Sequence, residues 1–210
     1  MVALVIGLTG GIASGKSAAT AAFEARGIVV ADADVAAHAA VARGSEGLAE
    51  VVAAFGTDAL AADGSLDRAA MRRRIFADPD ARARLEEILH PRIRLALRAT
   101  CDAATGPYAV AAIPLLAEGG RVHYPWLHRV LVIDVPVAVQ LARLLRRDGI
   151  DEALAQKMIA TQATRDARLV IADDIIVNDG SLAELDTRIG DLDTRYRALA
   201  AARAEGLAAD

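Results

Sequence analysis

The sequence predicts an α/β fold, a five-stranded parallel sheet flanked by helices. Two observations predict it. Short apolar runs alternate with helical stretches along most of the chain, the pattern of strands joined by helical crossovers. The runs are apolar at nearly every position rather than at every second one, as in strands buried on both faces. A third observation gives the fold a purpose. Glycines and acids cluster just after the carboxyl ends of these runs, where such sheets bind ligands.

The first run, "VALVIGL" (2–8), ends at glycines, and residues 15–26 follow as a helix stopped by Gly27. "IVVADAD" (28–34) reads as a second strand with acids at its end. Residues 35–103 hold helical patterns only, broken at Gly44, Gly47 and Pro79, with "DGS" (63–65) as a turn. Pro91 is expected to kink or end the helix that begins near Pro79, because proline lacks the amide donor and crowds the preceding turn. Strands are expected at 108–116, 129–135 and 174–179, and helices at 136–150, 151–172 and 181–203.

Composition sets limits. The 210 residues suit one compact domain with inserted lobes, and 54% hydrophobic content allows a large core. Aromatics are only 3%, so that core must be built from aliphatic side chains. A net charge of −4 argues against a nucleic-acid binder with a broad basic face. The single cysteine, Cys101, rules out an intrachain disulfide framework and suits a reducing, cytoplasmic setting. The amino-terminal apolar run is too short for a signal segment, and no run is long enough to span a membrane.

The strongest chemical signal is "GGIASGKS" (10–17), which fits G-x-x-x-x-G-K-[ST]. Its glycines let successive amides face phosphate oxygens, and the following helix presents its positive end to the same anion. Lys16 is one of two lysines in an arginine-rich chain. A compact ammonium on a flexible stem reaches the β- and γ-phosphates where a planar guanidinium fits poorly. Ser17 offers a hydroxyl to Mg²⁺. The guanine-reading N-K-x-D, the D-x-x-G of GTPases and the transporter signature L-S-G-G-Q are all absent. A short chain with a helical insertion after the second strand suits a small-molecule kinase.

Such a kinase needs an acceptor base and mobile positive charge. Asp32 and Asp34 are expected to end the strand beside the motif-bearing strand, on one face by alternation, with either available as the base. Arg143 and Arg147 share a helix face and suit a phosphate clamp. Arg165 and His90 are further candidates for holding the acceptor.

These motifs, in order, give the chain an end-to-end resemblance to the dephospho-CoA kinase family. It rests on "IGLTGGIASGKS", "VVADADVAAHAAV", "DGSLDRAAMRRRIFADP", "LHPRIR", "IPLLAE", "QLARLLRRD", "QATRDARLVIAD" and "IIVNDGS". The resemblance implies a P-loop kinase core (about 1–34, 107–137 and 173–210), a helical acceptor-binding insertion (about 35–106) and a lid (about 138–172). It implies ATP and Mg²⁺ as cofactors and dephospho-CoA as the small-molecule acceptor, with no obligate protein partner. Asp34 then corresponds to the general base. Gly11, Ile12, Ala13, Ser14, Gly15, Lys16, Ser17 and Ala18 would hold the nucleotide phosphates. Arg143 and Arg147 fall in the lid, and Asn178 and Gly180 near the adenine. His90, Leu115, Leu116 and Arg165 fall on the acceptor side. The chain departs from the family pattern at Ala13, where glycine is commoner, at Ala18, where threonine is, and at Ala117, where an aromatic precedes the acid.

Overall fold

The structure, a computed structural model, describes residues 2–207. The chain divides into two compact units, one of residues up to Ala31 together with Thr100 onward, the other Asp32–Ala99.

The first unit is built on a five-stranded sheet of β1 (Val5–Gly10), β2 (Val29–Asp32), β3 (Ala109–Ala112), β4 (Arg129–Asp134) and β5 (Asp174–Val177) in the order β2-β3-β1-β4-β5. β1 pairs in parallel with β3 and β4, and β4 with β5. Every residue of β1 and β3 is buried, which explains their unbroken apolar runs. β3 lies between β1 and β2, so the acid-tipped second strand is not beside the motif-bearing one as expected. The crossover from β2 returns the chain to β1's flank, and β4 then takes the other side. β1 therefore sits where the connections diverge, the position at which a sheet of this kind opens a crevice beyond its strand ends.

Helices α1 (Lys16–Ala25), α6 (Leu116–Gly119), α7 (Val137–Asp148), α8 (Glu152–Ala160), α9 (Arg165–Val170) and α10 (Leu182–Leu207) belong to this unit. The expected single helix at 151–172 is two, because Thr164 turns its hydroxyl to the Ala167 amide and starts α9 afresh. β5 is two residues shorter than expected because Asn178 leaves the strand to bind the loop described below. The scarce aromatics are concentrated. Phe23, Tyr108 and Tyr196 pack edge-on in a chain under the sheet with Ile6, Leu8, Val110, Leu131 and Ile189. Both tyrosine hydroxyls donate to carboxylates, Tyr108 to Asp193 at 2.8 Å and Tyr196 to Asp174 at 2.9 Å.

The second unit carries α2 (Ala33–Ala40), α3 (Glu46–Phe55), α4 (Arg68–Ala77) and most of α5 (Pro79–Asp102). Side-chain caps set the starts: Asp32 for α2, Ser45 for α3 and Asp67 for α4. Val41, Val51, Phe55, Met71 and Leu85 form its core. α5 runs on through Pro91, so the proline does not end the helix.

Candidate active site

The loop after β1 turns tightly into α1. The Ser14 amide donates to the Gly11 carbonyl at 3.1 Å, and Gly15 stands at the start of α1 with φ +95°. A side chain there would be strained by that φ and would also meet the Asn178 amide, 2.2 Å from its Cβ position. No side chain caps α1, so its first amides are left for an anion. Ala13 holds φ +57°, the one positive φ outside glycine among the described residues. Glycine adopts this φ freely, and the alanine here is strained.

Three amide side chains hold the loop. Gln140 Nε2 donates to the Ile12 carbonyl at 2.8 Å, and the Ile12 amide donates to Gln162 Oε1 at 2.7 Å. Asn178 Nδ2 donates to the Ser14 carbonyl at 2.7 Å, and this contact is buried. The loop's shape is thus held from α7, from the turn after α8 and from the end of β5. Gln140 is fully enclosed, yet its Oε1 and the Ser14 hydroxyl find no partner among the described residues.

The other expected residues fall in distinct settings. Lys16 is half-buried and Ser17 exposed, and neither side chain makes a hydrogen bond among the described residues. Arg143 is half-buried and unpaired among them, whereas Arg147 forks onto its neighbour Asp148 at 2.6 and 2.9 Å. Gly180 is exposed, and a Cβ on it would meet Glu184. Leu115 is exposed. Leu116 has no exposed surface and its side chain packs toward Gly7. Asn178 gives its side-chain amide to the Ser14 carbonyl.

Arg165 has a partner of its own. It grips Asp134, the buried last residue of β4, through Nε at 3.0 and 3.1 Å and Nη2 at 2.7 Å. The hydrogen bond and charge of Asp134 hold its guanidinium above its ordinary pKa. Three residues on, Arg168 is only 6% exposed and lies against Gly11.

In the second unit, Asp34 is exposed in the first turn of α2, not at a strand tip. Asp32 accepts from the Asp34 and Val35 amides at 2.7 and 3.2 Å, which starts the helix and separates the two acids' roles. Asp32 is a cap, and the Asp34 carboxylate is uncommitted among the described residues. His90 is exposed on α5.

Gln140, Gln162 and Arg168 were not singled out by the sequence pattern. Gln140 had a signal: it stands on the apolar stripe of α7, four residues before the buried Leu144, where a polar residue needs a partner. Arg168 shares a helix face with Arg165, and only the tertiary contacts separate them. Gln162 lies between helices and had none.

Comparison with known proteins identifies the family. The dephospho-CoA kinase family pattern matches residues 4–184. A dephospho-CoA kinase of Xanthomonas oryzae pv. oryzae is 54% identical over 195 residues, covering 92% of this chain and 96% of the relative. A crystal structure of a Thermus thermophilus protein superposes with a TM-score of 0.76 at 29% identity, covering 91% of this chain and 97% of the other. The structure of a dephospho-CoA kinase from Campylobacter jejuni gives 0.63 at 25% identity, covering 91% and 96%. A glycine-rich loop at the head of a five-stranded sheet, in a chain more than half identical to such an enzyme across nearly its whole length, leaves one assignment: the chain belongs to the dephospho-CoA kinase family, ATP-dependent kinases.

Proposed function

We propose that this chain moves the γ-phosphoryl group of ATP to the ribose 3′-hydroxyl of dephospho-CoA, giving coenzyme A and ADP. The observation that carries the proposal is the glycine-rich loop, uncapped at α1 and braced by Gln140, Gln162 and Asn178. Phosphoryl transfer asks a protein chiefly for position and for positive charge.

The amides from Ala13 to Ala18 hold the phosphate chain. Lys16 has no acidic partner among the described residues to compete with the phosphates, and it steadies charge on the γ-group. Ser17, exposed and uncommitted, is a suitable single protein oxygen for Mg²⁺, an ion that commonly takes few protein ligands and completes its shell with phosphate and water. Bound there, the ion would supply positive charge to offset that of the phosphates. No three His, Cys, Asp or Glu side chains among the described residues form a metal cluster of their own. Asp34 accepts the proton of the attacking hydroxyl, and its free carboxylate supports that role. Arg143 and Arg147, in the expected lid of about 138–172, close on the nucleotide, while Gln140 and Gln162 of the same segment stay on the loop. His90 and the exposed Leu115 serve the acceptor.

The test is ADP release by the purified protein with Mg²⁺, ATP and dephospho-CoA, alongside nucleosides and nucleotides as rival acceptors. Turnover dependent on dephospho-CoA, with coenzyme A identified by mass, is the expected result. Folded protein that binds ATP yet shows no such turnover would overturn the reading.

A further inference from the structure

Arg165 and Arg168 stand three apart on α9 and meet opposite electrostatic fates. Arg165 holds both oxygens of Asp134 and keeps 40% of its side chain exposed. Arg168 is nine-tenths enclosed and has no carboxylate partner among the described residues. Its one hydrogen bond runs from Nη1 to the Ala163 carbonyl at 2.5 Å. Nε and Nη2 make none among the described residues. The only fully enclosed side-chain atoms without a partner among the described residues are Ser14 Oγ and Gln140 Oε1, so the two free Arg168 nitrogens keep an opening to their surroundings.

The guanidinium's place is defined by Gly11, the first loop residue after β1. A Cβ built on Gly11 would stand 2.9 Å from Arg168 Nη2, 3.0 Å from its Cζ and 2.5 Å from Gln140 Nε2. Glycine at this position makes room for the cation. Burying a charge with a single carbonyl for company costs free energy, and a protein that keeps such a charge beside a phosphate loop gains from it only when an anion arrives.

We infer that Arg168, not Arg165, is the α9 arginine that contacts the nucleotide's phosphate chain, donating from Nε and Nη2 and gaining strength as charge builds on the migrating phosphoryl group. The assignment rests on the reading of the chain as an ATP-dependent kinase. It makes Arg168 a catalytic residue and leaves Arg165 to orient α9 through Asp134.

The alternative is a structural brace, and the two roles have opposite signs in the ligand-free protein. Removing a brace lowers the melting temperature. Removing a buried cation held against its own desolvation leaves the melting temperature unchanged or raises it. Arg168→Met keeps the length and drops the charge. The expected result is an unlowered melting temperature without ligand, a smaller thermal shift with ATP, an unchanged shift with adenosine, and kcat down about 10²–10³-fold. Arg168→Lys keeps a charge without the fork, and its kcat should lie between Arg168→Met and the unaltered chain. If Arg168→Met does not fold, the inference requires Arg168→Lys to melt normally with kcat at least about tenfold down. An ATP shift and kcat within twofold of the unaltered protein in the variant that folds, or a kcat loss that only follows a lowered melting temperature, would overturn it. The ATP and adenosine shifts need no acceptor. A chain that binds ATP but does not phosphorylate dephospho-CoA therefore fails the proposed reaction while the Arg168 comparison still reads out.

Discussion

Asn178, just past β5, donates its side-chain amide to the carbonyl of Ser14 at 2.7 Å, and it occupies the space a side chain on Gly15 would need. One amide thus ties a strand end to the phosphate loop and makes glycine obligatory at the start of α1. Asn178→Ala leaves a buried carbonyl unpaired, a cost of about 1–3 kcal/mol. At about 2–4 °C per kcal/mol for a chain of this size, the melting temperature should fall by about 2–12 °C. Asn178→Asp is nearly the same shape but sets a carboxylate against that carbonyl, so it should melt lower than Asn178→Ala. The reverse order would show that the amide does not support the loop.

The Ile12 peptide is held on both sides, its amide by Gln162 and its carbonyl by Gln140. Gln162→Ala frees the amide without touching the core. The loop then spends part of its time in shapes that do not fit the phosphates. Loss of one hydrogen bond's worth of order, about 1.4 kcal/mol, corresponds to about a tenfold rise in KM for ATP. A rise in KM for ATP with KM for the acceptor unchanged is the expected pattern. Equal rises in both would mean general loosening.

Ala13 carries φ +57°, a conformation glycine adopts freely and alanine does not. Ala13→Gly relieves that strain and loses some of the gain to a freer unfolded chain, leaving about 0.5 kcal/mol of stabilisation. Ala21→Gly, at an exposed site inside α1, should instead cost about 1 kcal/mol. Thermal melts of the two variants should therefore move in opposite directions. If both fall, the backbone at Ala13 relaxes in solution.

The sheet and the loop were legible because each rests on a local rule. An unbroken apolar run gave β1, and the glycine–lysine–serine spacing gave the turn that follows it. The strand order was not legible: nothing in β2 or β3 says which of them lies against β1, since both are short and largely apolar. Asp34 was misplaced on a strand because alternation was extended past Asp32, whose carboxylate in fact starts a helix. Leu115 and Leu116 are identical in the sequence, yet one is exposed and the other enclosed, a difference made by the turn into α6. Arg165 and Arg168 differ only in what surrounds them. The missing information is tertiary in each case, a neighbour supplied from a distant part of the chain.

Asp34→Asn removes the proposed base while keeping its size, at an exposed position where stability should barely change. A general base contributes about 10²–10⁴-fold, so kcat should fall by that factor. The ATP-induced thermal shift should remain. Retention of kcat would return the proton to solvent and leave Asp34 without a catalytic part.

Asp174 gives stability a pH dependence whose sign the structure sets. Its carboxylate, almost fully enclosed, accepts from Arg129 at 2.8 and 3.1 Å, from Arg195 at 2.8 Å and from the Tyr196 hydroxyl at 2.9 Å. Burial alone would push its pKa up, but the Arg129 and Tyr196 hydrogen bonds and the two arginine charges together hold it below the ordinary carboxylate value. Burial pushes the Tyr196 phenol up, so it remains a donor throughout the relevant range. A carboxylate with a depressed folded-state pKa adds stability above its unfolded pKa, and that stability is lost as pH falls through the folded value. Asp174→Asn removes the charge and should cost about 3 kcal/mol at neutral pH, the low end for a buried pair because the arginines keep access to water. The melting-temperature gap between the unaltered chain and this variant should hold steady from pH 7 to 5, then narrow below about pH 4 as the unaltered chain gives up its advantage. A gap that stays constant to pH 3 would mean that shape and hydrogen bonding at residue 174, not its charge, join β4, β5 and α10.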